Sequence, residues 1–355
     1  MAKSKKEIKE EPIMVEEKQE VEVEKIPVEE TSSQEKPEPK KRGRKKKVLT
    51  EEDELSRDTK VLLNGAKQKY NILSGILERI EVADNVTAIE GKIYGVTHFG
   101  NYKIIVPAVN MGIELPTDMD DEEKFSVYKK FMNSMLGAEI DYVVTKINDK
   151  EHIAVANRAI AMAIKRKKYY LNTYKNTKKS YMENCVEKAI PVPGKVMSVS
   201  GSLVRLDVYG VEVKVTAKEA TWRYTPNLSD VFYPGEQIKV IIKSIALSED
   251  RKEILKVEGS IREATPNTQV RNIAEYKLGC TCLGVVTGVR NDKGYNVAIG
   301  NENNGIDSFC TSVQGGVTPQ IGDMVSCQLL KIDYDTGSSI CKITRIIRQA
   351  NQSRF

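Results

Sequence analysis

The side chains whose types and spacing suggest chemistry in this chain are cations interleaved with aromatics. From His152 to Met182 the sequence has no Asp or Glu. It carries Arg158, Lys165, Arg166, Lys167, Lys168, Lys175, Lys178 and Lys179 among Tyr169, Tyr170, Tyr174 and Tyr181. A run so one-sided in charge attracts phosphates, and its tyrosines could stack on bases. The same residues also fit a linker helix whose tyrosines pack on neighbouring domains while its lysines are merely solvated. Catalytic constellations are missing from the sequence. Its two histidines, His98 and His152, fall in separate segments, no phosphate-loop glycine motif occurs, and the acids Asp120 to Glu123 read as a helix start. The six cysteines contain no CxxC pair and sit at strand-like spacings, so no metal site and no cofactor is expected. Buried free thiols in a reducing cytoplasm are the expectation, and the chain is read as non-enzymatic.

A second cationic stretch lies at 36–47, where Lys36, Lys40, Lys41, Arg42, Arg44, Lys45, Lys46 and Lys47 face one acid, Glu38. Upstream, residues 1–35 hold 11 Glu against 6 Lys, so the tail is split by charge. With almost no aromatic content, residues 1–50 are expected to be a disordered tail. Arg42-Gly43-Arg44 resembles the core of an AT-hook, an arm that lays Arg42 and Arg44 in a narrow minor groove and would contact DNA. A solvated basic tail that touches any polyanion is the plainer reading. The full chain has 355 residues, 30% charged and 40% hydrophobic, with a net charge of +5. That length suits two or three domains. No apolar run approaches a membrane span, and the Lys/Glu-rich start argues against a secretory signal.

The elements that must position these residues are organised by a repeat. Gly137, Gly235 and Gly322 each precede a β-branched run, 98 and 87 residues apart. At +3, +7 and +10 from each glycine stand Ile140, Val144 and Ile147; Ile238, Ile242 and Ile245; and Val325, Leu329 and Ile332. Recurrence at this period predicts an array of similar small domains. Around each copy the pattern predicts about five short strands with a longer connection between the third and fourth, which suggests a small OB-type barrel. Residues 51–70 and 118–136 read as helices, Thr87–Val96 and Tyr102–Pro107 as strands, and Ala159–Leu171 as a linker helix. The organisation expected is mainly β, with three tandem five-stranded OB-type barrels. It comprises a tail (1–50), a helix plus first barrel (51–160), a basic linker (161–186), a second barrel (187–265) and a third (270–348).

Three motifs in register carry a resemblance. They are Pro193-Gly194-Lys195-Val196 with Ala217 to Trp222 and Tyr233 to Ile238; Gly284-Val285-Val286 with Ile306 to Phe309 and Gly322 to Val325; and Lys103 to Ala108 with Gly137 to Ile147. Together they resemble the S-one-type RNA-binding domain, the repeat of a large small-subunit ribosomal protein of bacteria, over about residues 72–348. The resemblance implies single-stranded RNA on the face of strands two and three, with messenger RNA or the ribosome as the partner. Where that family carries strand-two aromatics, this chain has Leu203 and Asn296. The residues expected at RNA are Lys92, Tyr94, Phe99 and Tyr102 in the first repeat. In the second they are Lys195, Leu203, Arg205, Tyr209, Trp222, Arg223 and Tyr224, and in the third Arg290, Lys293 and Asn296. The other reading of Trp222 is a lid over the barrel end. The leading expectation is an RNA-binding protein of the translation or RNA-handling type. The alternatives are a structural or scaffold protein, as from a phage or mobile element, and an accessory protein contacting DNA. No membrane partner is expected.

Overall fold

The structure, a computed structural model, describes residues 51–83, 89–113, 115–116, 118–290, 293–301, 305–314 and 318–350. The charged tail with Arg42 and Arg44 lies outside the described residues. Helix α1 (Glu51–Lys69) precedes a six-stranded sheet. Its strands are β1 (Leu73–Ile76), β2 (Arg79–Val82), β3 (Ile93–Phe99), β4 (Tyr102–Pro107), β5 (Glu139–Asn148) and β6 (Ile153–Asn157), in the order β1-β5-β6-β4-β3-β2. Its two end strands, β1 and β2, are separated in the chain only by Leu77 and Glu78, so one bent run lines both edges. Strand β3 begins later than the expected Thr87, because a single-turn helix, α2 (Ile89–Lys92), stands before it. Helix α3 (Asp121–Ser134) starts where Asp120 accepts the N–H of Glu123 at 2.7 Å, with three acids in its first turn.

Asn157 caps α4 (Arg158–Arg166), which passes into a π turn over Lys167–Leu171. Helix α5 (Tyr181–Glu187) opens on a capping box of Ser180 and Glu183. The second sheet comprises β7 (Val192–Ser200), β8 (Leu203–Val208), β9 (Val211–Thr216), β10 (Gln237–Leu247) and β11 (Ile254–Ser260), ordered β11-β10-β7-β8-β9. A short helix, α6 (Ala217–Ala220), follows β9. Helix α7 (Thr268–Ile273) leads to a closed barrel of β12 (Thr281–Arg290), β13 (Gly294–Ile299), β14 (Ile306–Val313), β15 (Met324–Asp333) and β16 (Ser338–Arg348). The protein is thus mainly β, with barrel or half-barrel sheets. No helix among the described residues is long and apolar enough to cross a membrane.

The repeated strand has the same anchoring in each sheet. Gly137, Gly235 and Gly322 all take left-handed backbone, at φ 83°, 90° and 92°. Their N–H groups donate to the carbonyls of Leu77, Val196 and Val286. The N–H groups of those three residues donate back to Ala138, Glu236 and Asp323, one place beyond each glycine. The step from +7 to +10 is odd, and an unbroken strand would turn the +10 residue to the wrong face. A β-bulge after Val144, Ile242 and Leu329 restores it. Ile147, Ile245 and Ile332 therefore pack against the same cores as the residues before them. Strands β4 and β6, and likewise β14 and β16, pair in parallel.

Candidate nucleic-acid interface

The outward face of β13 and β14 forms the floor of a groove of about 680 Å³. Alternation sets which side chains reach it. Val297, Ile299, Ile306 and Cys310 fill the barrel, so Asn296, Asp307 and Phe309 point the other way. Asn296 and Phe309 are direct cross-strand partners. Arg290, at the end of β12, lays its guanidinium 5.5 Å from the Phe309 ring centre. The opposite wall comes from the second repeat. There the Arg262 guanidinium lies 5.2 Å from the Trp222 ring centre. The groove is thus flanked by two arginine-on-aromatic pairs, each presenting a flat cationic surface.

Hydrogen bonds hold the Trp222–Tyr224 segment in place. Trp222 Nε1 donates to the Thr265 carbonyl at 3.1 Å, and Gln269 Nε2 donates to the Trp222 carbonyl at 2.9 Å. Gln269 Oε1 accepts the Asp307 N–H, which joins this segment to β14. The Asp307 carboxylate takes the Tyr224 N–H and lies 3.4 Å from Arg223 Nε. Burial pushes the Asp307 carboxyl up, outweighing the Tyr224 and Arg223 contacts that pull it down. Asn296 is 7% exposed and its side-chain Nδ2 has no hydrogen-bond partner among the described residues. Buried amides are normally satisfied, and this buried Nδ2 is an exception in the groove floor. Lys218, Arg223, Arg262 and Arg290 line the groove against Glu219 and Asp307. Glu219 is already engaged by Lys243 and Arg262.

Of the residues expected at RNA, Trp222, Arg223, Tyr224, Arg290 and Asn296 meet in this one groove. Lys293 is exposed at the β12–β13 turn. The remainder are dispersed. Lys92 lies over Phe125, and Tyr94 donates to Glu81 beneath Lys103. Hydrogen bonds from Lys103 and then Arg79 hold the Glu81 carboxyl down at about 2. Phe99 packs half-buried on the first core, and Tyr102 is inside it with its hydroxyl on Asp149. Lys195 and Lys165 both converge on Asp141, so neither is a free surface cation. Leu203 and Arg205 lie beside α3. Tyr209 stacks on Tyr169 at 4.1 Å and meets Tyr181 edge-on, which is the packed-linker arrangement. In the basic linker, Lys179 pairs with Glu187, Lys168 covers Tyr169, and Arg166 is half-buried, while Lys167, Lys175 and Lys178 are exposed.

Phe309, Asp307, Arg262 and Gln269 are groove residues that the sequence reading missed. Phe309 was within reach, because it shares the outward phase of β14 with Asp307, opposite Asn296. Arg262 and Gln269 lie beyond the last strand of the second sheet, where no periodicity marks them.

No family model matches the sequence, and no curated protein matches it. Among solved structures, the chain is similar to a multidomain protein with nucleic acid binding domains from Streptococcus pneumoniae. The identity is 10%, over 77% of this chain and 73% of that one, with a TM-score of 0.17. It is also similar to Drosophila Unr CSD456, at 10% identity over 78% of this chain and 96% of that one, TM-score 0.16. A third likeness is to the Ifi202 HINa domain in complex with 20bp dsDNA, at 15% identity over 43% and 91%, TM-score 0.16. Likeness at this level does not extend to function.

Proposed function

We propose that the chain is a non-enzymatic, cytoplasmic binder of single-stranded RNA, built of S-one-like OB-type repeats and acting in translation or RNA handling. The observation that carries this reading is the groove on β13 and β14. It gathers Trp222, Phe309 and two arginine planes into a single channel, with Asn296 in its floor. A flexible strand offers what such a channel lacks: π faces for stacking and phosphates for the arginines. The exposed Lys167, Lys175 and Lys178 add phosphate contacts without sequence preference.

Fluorescence anisotropy with an unstructured RNA tests the reading. Affinity falls steeply as salt rises, and Arg290→Ala lowers both the affinity and the salt slope. Binding that is flat with salt, or unchanged in Arg290→Ala, sinks it. An equal-length DNA strand in competition separates RNA from an accessory DNA role. A scaffold role for the repeats draws support from the second sheet, part of whose outward face, at Met197 and Asp207, is buried. Under that reading the wild-type chain gives no RNA signal at any salt.

A further inference from the structure

We infer that the junction between the first sheet, α4 and the second sheet holds an anion site, separate from the groove, that takes a compact phosphate group. The site is a cavity of about 430 Å³, walled by Arg158 and Arg166 of α4, Arg205 of β8, and Glu212 and Lys214 of β9, with Phe131 of α3 as its apolar side. Four cations thus surround one carboxylate. Glu212 is a loose partner for them. Its Oε1 lies 3.9 Å from Arg205 Nε and 4.0 Å from Lys214 Nζ. Among the described residues neither Arg158 nor Arg166 forms an ion pair.

Arg158 is the second, independent observation. It is 6% exposed, yet its Nη1 donates to the Met111 carbonyl at 2.7 Å while its Nε has no partner among the described residues. Asp207 is the nearest counter-charge to Arg158, although no hydrogen bond joins the two and its Oδ1 accepts the N–H of Gly210. A guanidinium is costly to bury with donors left open, and a planar fork of N–H groups matches phosphate oxygens. Burial also lowers the Arg158 pKa, against the pull of Asp207, Glu212 and Asp141. The lining of the cavity carries more positive than negative charge. A monocarboxylate would leave most of that excess unmet, whereas a dianionic phosphate answers two cations at once. The volume lies in the range of small-molecule sites. The phosphate could belong to a free phosphorylated molecule or to a nucleic-acid strand.

Calorimetry on the full chain with inorganic pyrophosphate tests the site. One equivalent binds, and Arg166→Ala combined with Lys214→Ala weakens it by about tenfold or more. Both residues are at the rim, so folding is kept, as an unchanged unfolding midpoint would verify. Lys239→Ala, an exposed lysine outside both sites, leaves binding as it was. No saturable binding, or an equal loss in Lys239→Ala, overturns the proposal. A single-stranded oligonucleotide then names the source. If it displaces pyrophosphate and itself weakens in the double variant, the site takes a chain phosphate. If pyrophosphate stays bound beside it, the site serves a free phosphorylated molecule.

Discussion

The outward face of β8 and β9 and that of β13 and β14 hold the same place in the repeat, yet they meet different surroundings. In the second sheet the part of that face toward β7 is covered, while Glu212, Lys214 and Thr216 of β9 stay exposed. Met197 of β7 belongs to the hydrophobic core of the first sheet, and Asp207, outward in phase, is only 5% exposed. The β8–β9 turn is pressed on α4. A Cβ added at Gly210, where φ is 90°, would come within 2.4 Å of the Met162 carbonyl. In the third barrel the same face opens into the groove. Alternation dictates which way a side chain leaves its own sheet, but not whether solvent, ligand or a neighbouring domain waits there.

The largest test of this contrast is Asp141→Ala. Asp141 is 1% exposed and holds Lys165, Lys195 and Ser74 at the seam between the first and second sheets. Removing the carboxylate strands Lys165 and leaves Lys195 with Glu139 alone, and loss of one partner from such a cluster costs about 3–5 kcal/mol. Urea unfolding should show that loss, while RNA affinity of the folded protein stays near wild type. A loss under about 1 kcal/mol would mean that the seam is solvated and the second face accessible.

Trp222→Ala addresses the open face. Loss of one stacking surface weakens RNA binding by about 1–3 kcal/mol. If Trp222 is only a lid, the variant loses stability instead and its RNA affinity is unchanged.

The two junctions also differ in the sign of their pH dependence. Burial alone would raise the Asp141 carboxyl, but Lys165, Ser74 and Lys195 outweigh it and the net shift is downward. Its contribution to stability is present above the unfolded value of about 3.9 and is lost as pH falls through the lower, folded pKa. Asp307 is raised, by burial first. Relative to the unfolded chain its contribution is complete below about 3.9 and is lost as pH rises through the folded value. Unfolding midpoints at successive pH values should therefore respond differently to two variants. Asp141→Asn removes part of the acid-side fall, and Asp307→Asn flattens the decline above pH 4. Identical profiles for the two variants would remove this difference between the junctions.

Much of the frame was legible because the signals are local. The three left-handed glycines, the apolar positions after them and the Asp120 cap are each set by a few neighbouring residues. The bulge was legible too in principle, since a core residue three places after another on one strand requires one. The site was less so. Asn296 and Trp222 stood out as polar or aromatic residues in special positions, but their meeting depends on Gln269 and Asp307, which link segments far apart in sequence. Lys165 on α4 and Lys195 on β7 looked like surface cations because the acid that claims them, Asp141, lies on β5.

Leu203→Phe is the smallest and most direct test of the contrast. Leu203 stands where the RNA-binding repeats that the sequence resembles carry an aromatic, so adding a ring should create a stacking platform if the face is reachable. The leucine borders an apolar hollow of about 490 Å³ with Val127 and Phe131 of α3. A phenylalanine fills that hollow and stays against α3. RNA affinity should then change by less than about twofold, the scale of a substitution that makes no new contact. A gain approaching tenfold would show that a strand reaches β8 in spite of the helix above it, and the two faces would have to be treated as equivalent.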